Sequence, residues 1–282
     1  MKLTILIHCQ DQSGIIHSTT GFIADRGGNI IYLDQHVDKQ AGIFFMRLEC
    51  EFTAPHDFNE FRNLFSLQVA KVYRMQWSAY QDGEKPKMAL FVSKYNHCLY
   101  DILSRYRSGE LDVDIPFIMS NHNELRYIGE QFQIPYYHYP ITKATKSNVE
   151  DEQLLLLEKH QIDFIVLARY MQLVSSKIID RYPNGIINIH HSFLPAFAGA
   201  KPYHAAFERG VKIIGATSHY VTEVLDGGPI IEQDVAIVSH THSVKDFIAK
   251  GRDLEKIVLA RAIKLHLSRR TMVYNNKTVI FS

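Results

Sequence analysis

From Lys87 onward, short apolar segments alternate with longer amphipathic segments along the chain. Met88 to Val92 and Asp163 to Leu167 have the length and composition of buried strands, whereas residues 99–106 repeat their apolar positions at helical spacing. Parallel strands cannot be joined by tight turns, and the helical segments supply the crossovers that such strands need. The pattern therefore predicts an α/β unit with a mostly parallel sheet, closed by a long helix whose apolar face begins at Leu254.

The chain before Tyr80 follows a different order. Strand patterns occur over Leu3 to His8, Asn29 to Val37 and Ile43 to Phe52, and helical patterns follow the first and third of them. A last strand is predicted over Val72 to Trp77. The resulting order, βαββαβ, is typical of a ferredoxin-like topology.

A polar stretch from Tyr80 to Lys87 contains Gly83 and Pro86 and separates the two patterns. We therefore predict one domain over residues 1–84 and a second over residues 85–282. A chain of 282 residues with 46% apolar content can build two packed cores.

Charge and cysteine content narrow the class of protein. Lys and Arg number 31 against 30 Asp and Glu, and no long basic run marks a nucleic-acid surface. The 3 cysteines form no CxxC pair, which fits buried thiols in a reducing cytosol. No segment approaches the roughly 18 apolar residues of a membrane span, and the apolar N-terminus is too short for a signal peptide. We expect a cytoplasmic protein that binds a small molecule, with no nucleic-acid and no membrane partner.

The strongest chemical signal lies where an apolar run from Ile187 ends in Asn188 and His190 and then meets the turn Leu194-Pro195. The last residues of a buried strand in an α/β sheet project into a cleft. Downstream, Asp226 stands in a loop with two glycines. An amide donor, a histidine and a carboxylate together suit attack on a carbonyl group.

The turn after the first strand of the second domain, Ser93 to Cys98, contains no glycine. A phosphate held on backbone amides at the start of a helix usually needs glycine for close approach. We therefore expect neither a dinucleotide nor a sugar phosphate at this turn.

The second domain resembles the formyltransferase fold of the folate-dependent formyl-transfer enzymes. The resemblance rests on four segments: Asn188 to His190, Ser192 to Pro195, Gly215 to His219 and Leu225 to Ile231. It implies a Rossmann-like, mostly parallel sheet. Because this family tends to place a cis proline beside the catalytic strand, we also predict a cis peptide bond at Leu194-Pro195.

The first domain resembles the ACT domain, an amino-acid-sensing module with a ferredoxin-like fold. Its signature residues here are Asp11 and Gly14 in the first turn and Gly28 in a second glycine-rich turn. The resemblance implies that these residues bind an amino-acid effector, and that the chain forms a homo-oligomer, either a dimer or a tetramer. Glycine or methionine is the expected effector, because the folate pool feeds both. The alternative is that Asp11 only caps the following helix and Gly14 only closes a turn.

With both domains, and with the segments Leu167 to Gln172 and Gly199 to His204, the whole chain resembles the formyltetrahydrofolate deformylases. The resemblance implies hydrolysis of 10-formyltetrahydrofolate to formate and tetrahydrofolate, without a metal or other cofactor. Asn188 and a protonated His190 would stabilise the oxyanion, and Asp226 would hold water and move a proton. The resemblance also implies a set of residues along the folate: Ala168, Met171, Gln172, Val174, His219, Val221 and Gly228.

Other interpretations stay open at this stage. The chain could be a folate-dependent formyltransferase with an amine acceptor, or a non-catalytic sensor of folate and amino acids. His191 could only support a neighbouring loop, and Arg169 and Lys201 could meet the glutamate tail of the folate or simply be solvated. A further alternative is a metal site, whose ligands would be His190, His191, His204 and His219.

Overall fold

The computed structural model describes residues 1–54, 57–195 and 202–281. The chain divides into two compact units, Met1–Glu84 and Lys85–Val279, and residues 280–281 group with the first.

The first unit is an antiparallel sheet of four strands in the order β2-β3-β1-β4, with its helices on one face. This arrangement confirms the predicted ferredoxin-like βαββαβ order. The elements are β1 Lys2–Gln10, α1 Ile15–Ala24, β2 Gly28–Asp38, β3 Ile43–Phe52, α2 Phe58–Phe65 with a π-helical continuation Ser66–Ala70, and β4 Gln76–Gln81.

The predicted strand from Val72 to Trp77 is wrong in its position. Val69 and Ala70 continue the apolar face that Phe61 and Phe65 begin, so the helical segment carries on to bury them in the core. Val72 is exposed, and the strand β4 begins only at Gln76.

The second unit contains a seven-stranded sheet in the order β11-β10-β9-β8-β5-β6-β7. The five strands from β9 to β7 are parallel, β10 runs antiparallel to β9, and β11 runs antiparallel to β10. The elements are β5 Met88–Val92, α3 His97–Arg107, β6 Ile118–Ser120, α4 Arg126–Phe132, β7 Tyr136–His138, α5 Lys146–Lys159, β8 Phe164–Leu167, α6 Ser176–Arg181, β9 Ile186–His190, α7 Pro202–Arg209, β10 Ile213–Tyr220, β11 Ile230–Ile237, α8 Val244–Leu267, β12 Thr271–Tyr274 and β13 Lys277–Ile280.

This architecture confirms the predicted Rossmann-like, mostly parallel sheet. Strands β5, β8 and β9 end at the same edge because they are parallel, and the residues after each strand therefore gather there. The long helix α8 begins with a capping box between Ser243 and Asp246 and buries Leu254, Glu255 and Val258. Across the described ranges, no helix is both long enough and apolar enough to span a membrane.

Candidate active site

Strand β9 presents Asn188 and His190 on the same face, since residues two apart in a strand point the same way. The antiparallel neighbour β10 places His219 directly opposite Asn188. Asn188 Nδ2 lies 3.2 Å from His219 Nε2. The other ring nitrogen of His219, Nδ1, donates to the backbone carbonyl of Tyr220 at 2.9 Å, which fixes the ring.

Asp226 reaches the two histidines from the loop between β10 and β11. Its backbone is left-handed, with φ 51, a conformation that Asp tolerates better than most residues. One carboxylate oxygen lies 3.3 Å from His190 Nδ1 and the other lies 3.6 Å from His219 Nε2. Hydrogen bonding with His190 first, and with His219 second, holds the pKa of Asp226 well below its usual range. Asp226 is therefore a charged carboxylate that orients both rings.

The second nitrogen of the His190 ring is buried without a partner. Nδ1 faces the Asp226 carboxylate, whereas Nε2 has no hydrogen-bond partner among the described atoms. His190 also lines the large cavity of the second unit. A buried polar atom left unpaired is costly, so a ligand atom is the natural partner for this nitrogen.

The cavity beside His190 has a volume of about 750 Å³, which suits a ligand the size of a drug or a coenzyme. Its walls include residues 169–174, 188–191 and 221–228. Several residues predicted to lie along the folate line it: Met171, Gln172, Val174, His219, Val221 and Gly228.

Ala168 does not line the cavity with them. It is fully buried, and its backbone N–H donates to the carbonyl of Phe91 on the neighbouring strand. Its chain neighbours Leu167 and Arg169 both line the cavity, and the contact of Ala168 with the folate stays a prediction.

The turn after β9 is held by Thr217 of β10. Thr217 Oγ1 donates to the carbonyl of Ser192 at 2.9 Å and accepts from the Leu194 N–H at 3.0 Å. The Leu194-Pro195 bond is cis, as predicted. Residues 196–201, which include Lys201 and the first part of the segment Gly199 to His204, lie outside the described residues.

A buried cluster beside the cavity was not predicted. It is centred on Glu255 of α8, which accepts from His97 Nε2 and from Tyr203 Oη, each at 2.7 Å. Arg169 Nε lies 3.4 Å from the same carboxylate. We call these four residues the Glu255 cluster. Burial raises the pKa of Glu255, but bonding with His97 and the charge of Arg169 outweigh it, so the net shift is downward.

Arg169 is not simply solvated, since only 8% of its surface is exposed; it also lines the cavity, and its contact with the glutamate tail stays a prediction. A signal for the cluster existed in the sequence. Glu255 stands next to Leu254 on the apolar stripe of α8, and a carboxylate at such a position needs buried partners.

The metal-site alternative finds little support in the part of the chain that the structure describes. The one set of three possible ligand atoms that lie within 4.8 Å of one another comes from His97, Cys98 and Glu255. Both oxygens of Glu255 already accept hydrogen bonds there. The four histidines considered from the sequence form no such set, and His204 is exposed.

The turn Ser93 to Cys98 is occupied by the protein's own contacts. Ser93 Oγ donates to Asn121 Oδ1 at 2.7 Å and accepts from the N–H of Met171 at 2.9 Å. The guanidinium of Arg169 lies over the Tyr95 ring, 4.8 Å from its centre.

In the first unit, Asp11 and Gly14 share the turn between β1 and α1. Gly14 has φ 92, and a Cβ there would lie 2.9 Å from Tyr73 Oη. The N-cap of α1 is Gly14 and has no side-chain cap, so Asp11 does not cap this helix. Gly28 has a packing role, because a Cβ would lie 2.6 Å from the side chain of Ile23.

Comparisons with known proteins agree with both units. A family described as "Formyl transferase" matches residues 86–263, and one described as "ACT domain" matches residues 3–65. The chain is similar to formyltetrahydrofolate deformylases of Synechocystis sp., with 51% identity over 100% of this chain and 99% of the relative, and of Bacillus subtilis, with 43% identity over 100% and 94%. It is also similar to the crystal structure of a formyltetrahydrofolate deformylase from Pseudomonas syringae pv. tomato, with a TM-score of 0.97 and 46% identity over 100% of this chain and 95% of that one. The chain therefore belongs to the formyltetrahydrofolate deformylase family and is a hydrolase with an ACT domain followed by a formyl transferase domain.

Proposed function

We propose that this chain hydrolyses 10-formyltetrahydrofolate to formate and tetrahydrofolate at the cavity beside His190. The observation that supports this reaction most strongly is the unpaired, buried Nε2 of His190, next to a charged Asp226 and an amide donor on Asn188. The names of the relatives point to the same substrate.

The reaction begins with the attack of water on the formyl carbon. As the new C–O bond forms, negative charge develops on the formyl oxygen, and the N–H groups of Asn188 and of a protonated His190 stabilise it. The Asp226 carboxylate takes one proton from the water. As the oxyanion develops, it interacts with the positive charge of His190. His190 then stabilises the charged Asp226 carboxylate less, so the proton affinity of the carboxylate increases.

Collapse of the tetrahedral intermediate completes the reaction. The C–N bond breaks, the leaving nitrogen receives the proton held by Asp226, and formic acid and tetrahydrofolate form. Formic acid then loses its proton to give formate, and His190 and Asp226 return to their starting states. No metal or nucleotide takes part in these steps.

Water is favoured over a phosphorylated amine as the acceptor. The turn after β5 contains no glycine, and its residues are engaged with Asn121, Met171 and Arg169. A phosphate would have to displace these contacts to reach the backbone amides of the turn.

We expect the purified protein to release formate and tetrahydrofolate in equal amounts from 10-formyltetrahydrofolate without any acceptor, at a rate that a chelator does not change. Formate and tetrahydrofolate are measured with and without the chelator, and with candidate amine acceptors. Turnover that depends on an amine would favour a transferase, and binding without turnover would favour a sensor. Activity that is lost to the chelator and restored by zinc would contradict the metal-free reaction.

We also propose that the ACT domain binds an amino acid such as glycine or methionine at the turn containing Asp11 and Gly14, and that the chain is a homodimer or homotetramer. The amino acid is expected to change the rate of formate release. Gly14→Ala should abolish this response and keep the basal rate, because an L-residue at φ 92 is strained and its Cβ would press on Tyr73. Rates with added amino acids and mass in solution test the proposal. A monomer, or a response retained by Gly14→Ala, would contradict it.

A further inference from the structure

His191 follows β9 directly and shares the cavity wall with His190. The centre of its ring lies 5.1 Å from that of His190 and 6.1 Å from that of Tyr203. The side chain is buried, yet none of the hydrogen bonds seen among the described residues reaches its ring. The mechanism derived above does not use this histidine.

The two adjacent histidines have opposite electrostatic surroundings. His190 lies against the carboxylate of Asp226. His191 faces the Glu255 cluster, in which Arg169 brings a buried positive charge near its ring. Burial first, the charge of Arg169 second and that of His190 third lower the pKa of His191 to about 4, while Glu255 and Asp226 act in the opposite direction. His191 is therefore neutral at pH 7.

When two neighbouring titratable groups have opposite electrostatic surroundings, one can act as the acid and the other as the acceptor. A protonated His190 and a protonated His191 would repel each other at 5.1 Å between ring centres, and the second charge would also face Arg169. A neutral His191 avoids this repulsion and keeps one ring nitrogen as a hydrogen-bond acceptor.

We propose that His191 holds the attacking water: its neutral ring accepts a hydrogen bond from that water, and the Glu255 cluster keeps Arg169 beside it so that the ring remains an acceptor. One hydrogen of the water then points to Asp226, which takes it, and the other points to His191, which does not. This arrangement turns a lone pair of the water oxygen toward the formyl carbon. His191 gains no proton at any step, so the overall balance of the hydrolysis is unchanged.

The inference rests on the proposed deformylation, and its test separates the two. Three variants of the full-length chain are compared with the wild type: His191→Ala, His191→Gln, and His240→Ala as a control at an exposed histidine. Formate release gives kcat and KM. Equilibrium titration with tetrahydrofolate reports the folate site independently of turnover, and thermal unfolding reports the fold.

We expect His191→Ala to lower kcat about 100-fold, which is the scale for a misplaced reacting group, while KM and tetrahydrofolate affinity change less than about twofold. His191→Gln has an amide oxygen that can accept from water, so it should retain about tenfold more activity than His191→Ala. Added imidazole should restore part of the activity of His191→Ala, and His240→Ala should match the wild type.

A merely structural role for His191 gives a different pattern. In that case His191→Ala would unfold at lower temperature and bind tetrahydrofolate more weakly, and imidazole would not restore its kcat. Three results would each overturn the inference: that pattern, equal losses of kcat in His191→Gln and His191→Ala, or a normal kcat in His191→Ala. A wild type that binds tetrahydrofolate but releases no formate would instead refute the deformylation itself, and the inference with it.

Discussion

Replacing Asp226 by asparagine is expected to lower kcat for formate release by about 1,000-fold, while tetrahydrofolate affinity changes less than about threefold. The substitution keeps the shape of the side chain but removes its negative charge. Without that charge, the protonated form of His190 loses the carboxylate 3.3 Å from Nδ1, and the water loses its proton acceptor. Both losses act on the transition state far more than on folate binding.

The control for this variant is Asp234→Asn, which makes the same chemical change on β11. Asp234 pairs with Arg261 at 3.0 Å in a partly exposed position, so its loss should leave kcat within about twofold. Rates of formate release and titrations with tetrahydrofolate are measured for both variants. Near-normal turnover in Asp226→Asn would remove Asp226 from the mechanism.

Gly228→Ala is expected to remove both activity and folate binding and to destabilise the second unit by about 3 kcal/mol or more. A Cβ at this position would lie 1.8 Å from the carbonyl oxygen of Tyr220. That carbonyl cannot easily turn away, because the N–H of Tyr220 donates to the Pro229 carbonyl and its oxygen accepts from His219 Nδ1. The loop must move instead, and Asp226, two residues earlier, moves with it.

Gly21→Ala provides a matched control because it makes the same change where no atom lies within 4 Å of the new Cβ. Gly21 is inside α1, where alanine favours the helix by up to about 1 kcal/mol. Chemical denaturation, tetrahydrofolate titration and formate release are compared for the two variants. A Gly228→Ala protein that still binds tetrahydrofolate would show that the loop carrying Asp226 can shift without losing the site.

Much of the architecture could be predicted from local patterns. The alternation of apolar runs and helical stripes after Lys87 predicted the parallel sheet. Each element has to bury one face, and the pattern of its own apolar residues shows which face that is. The strand predicted from Val72 was wrong in its position because it, too, was predicted from the local pattern alone. Its β-branched and aromatic residues suit a strand, but the helix before it had to bury Val69 and Ala70 first.

The sequence by itself determined the two folds and the chemical identity of the candidate site, since strand ends with Asn188 and His190 and a glycine-flanked Asp226 are local features. Only the tertiary structure decided which nitrogen of His190 stays unpaired, that Asp226 contacts two histidines, and that Glu255 collects three partners. Those partners stand far apart in the sequence, and they meet because parallel strands end at one edge and α8 packs beside them. Electrostatic interactions depend on distance and burial, and neither is fixed until the chain has folded.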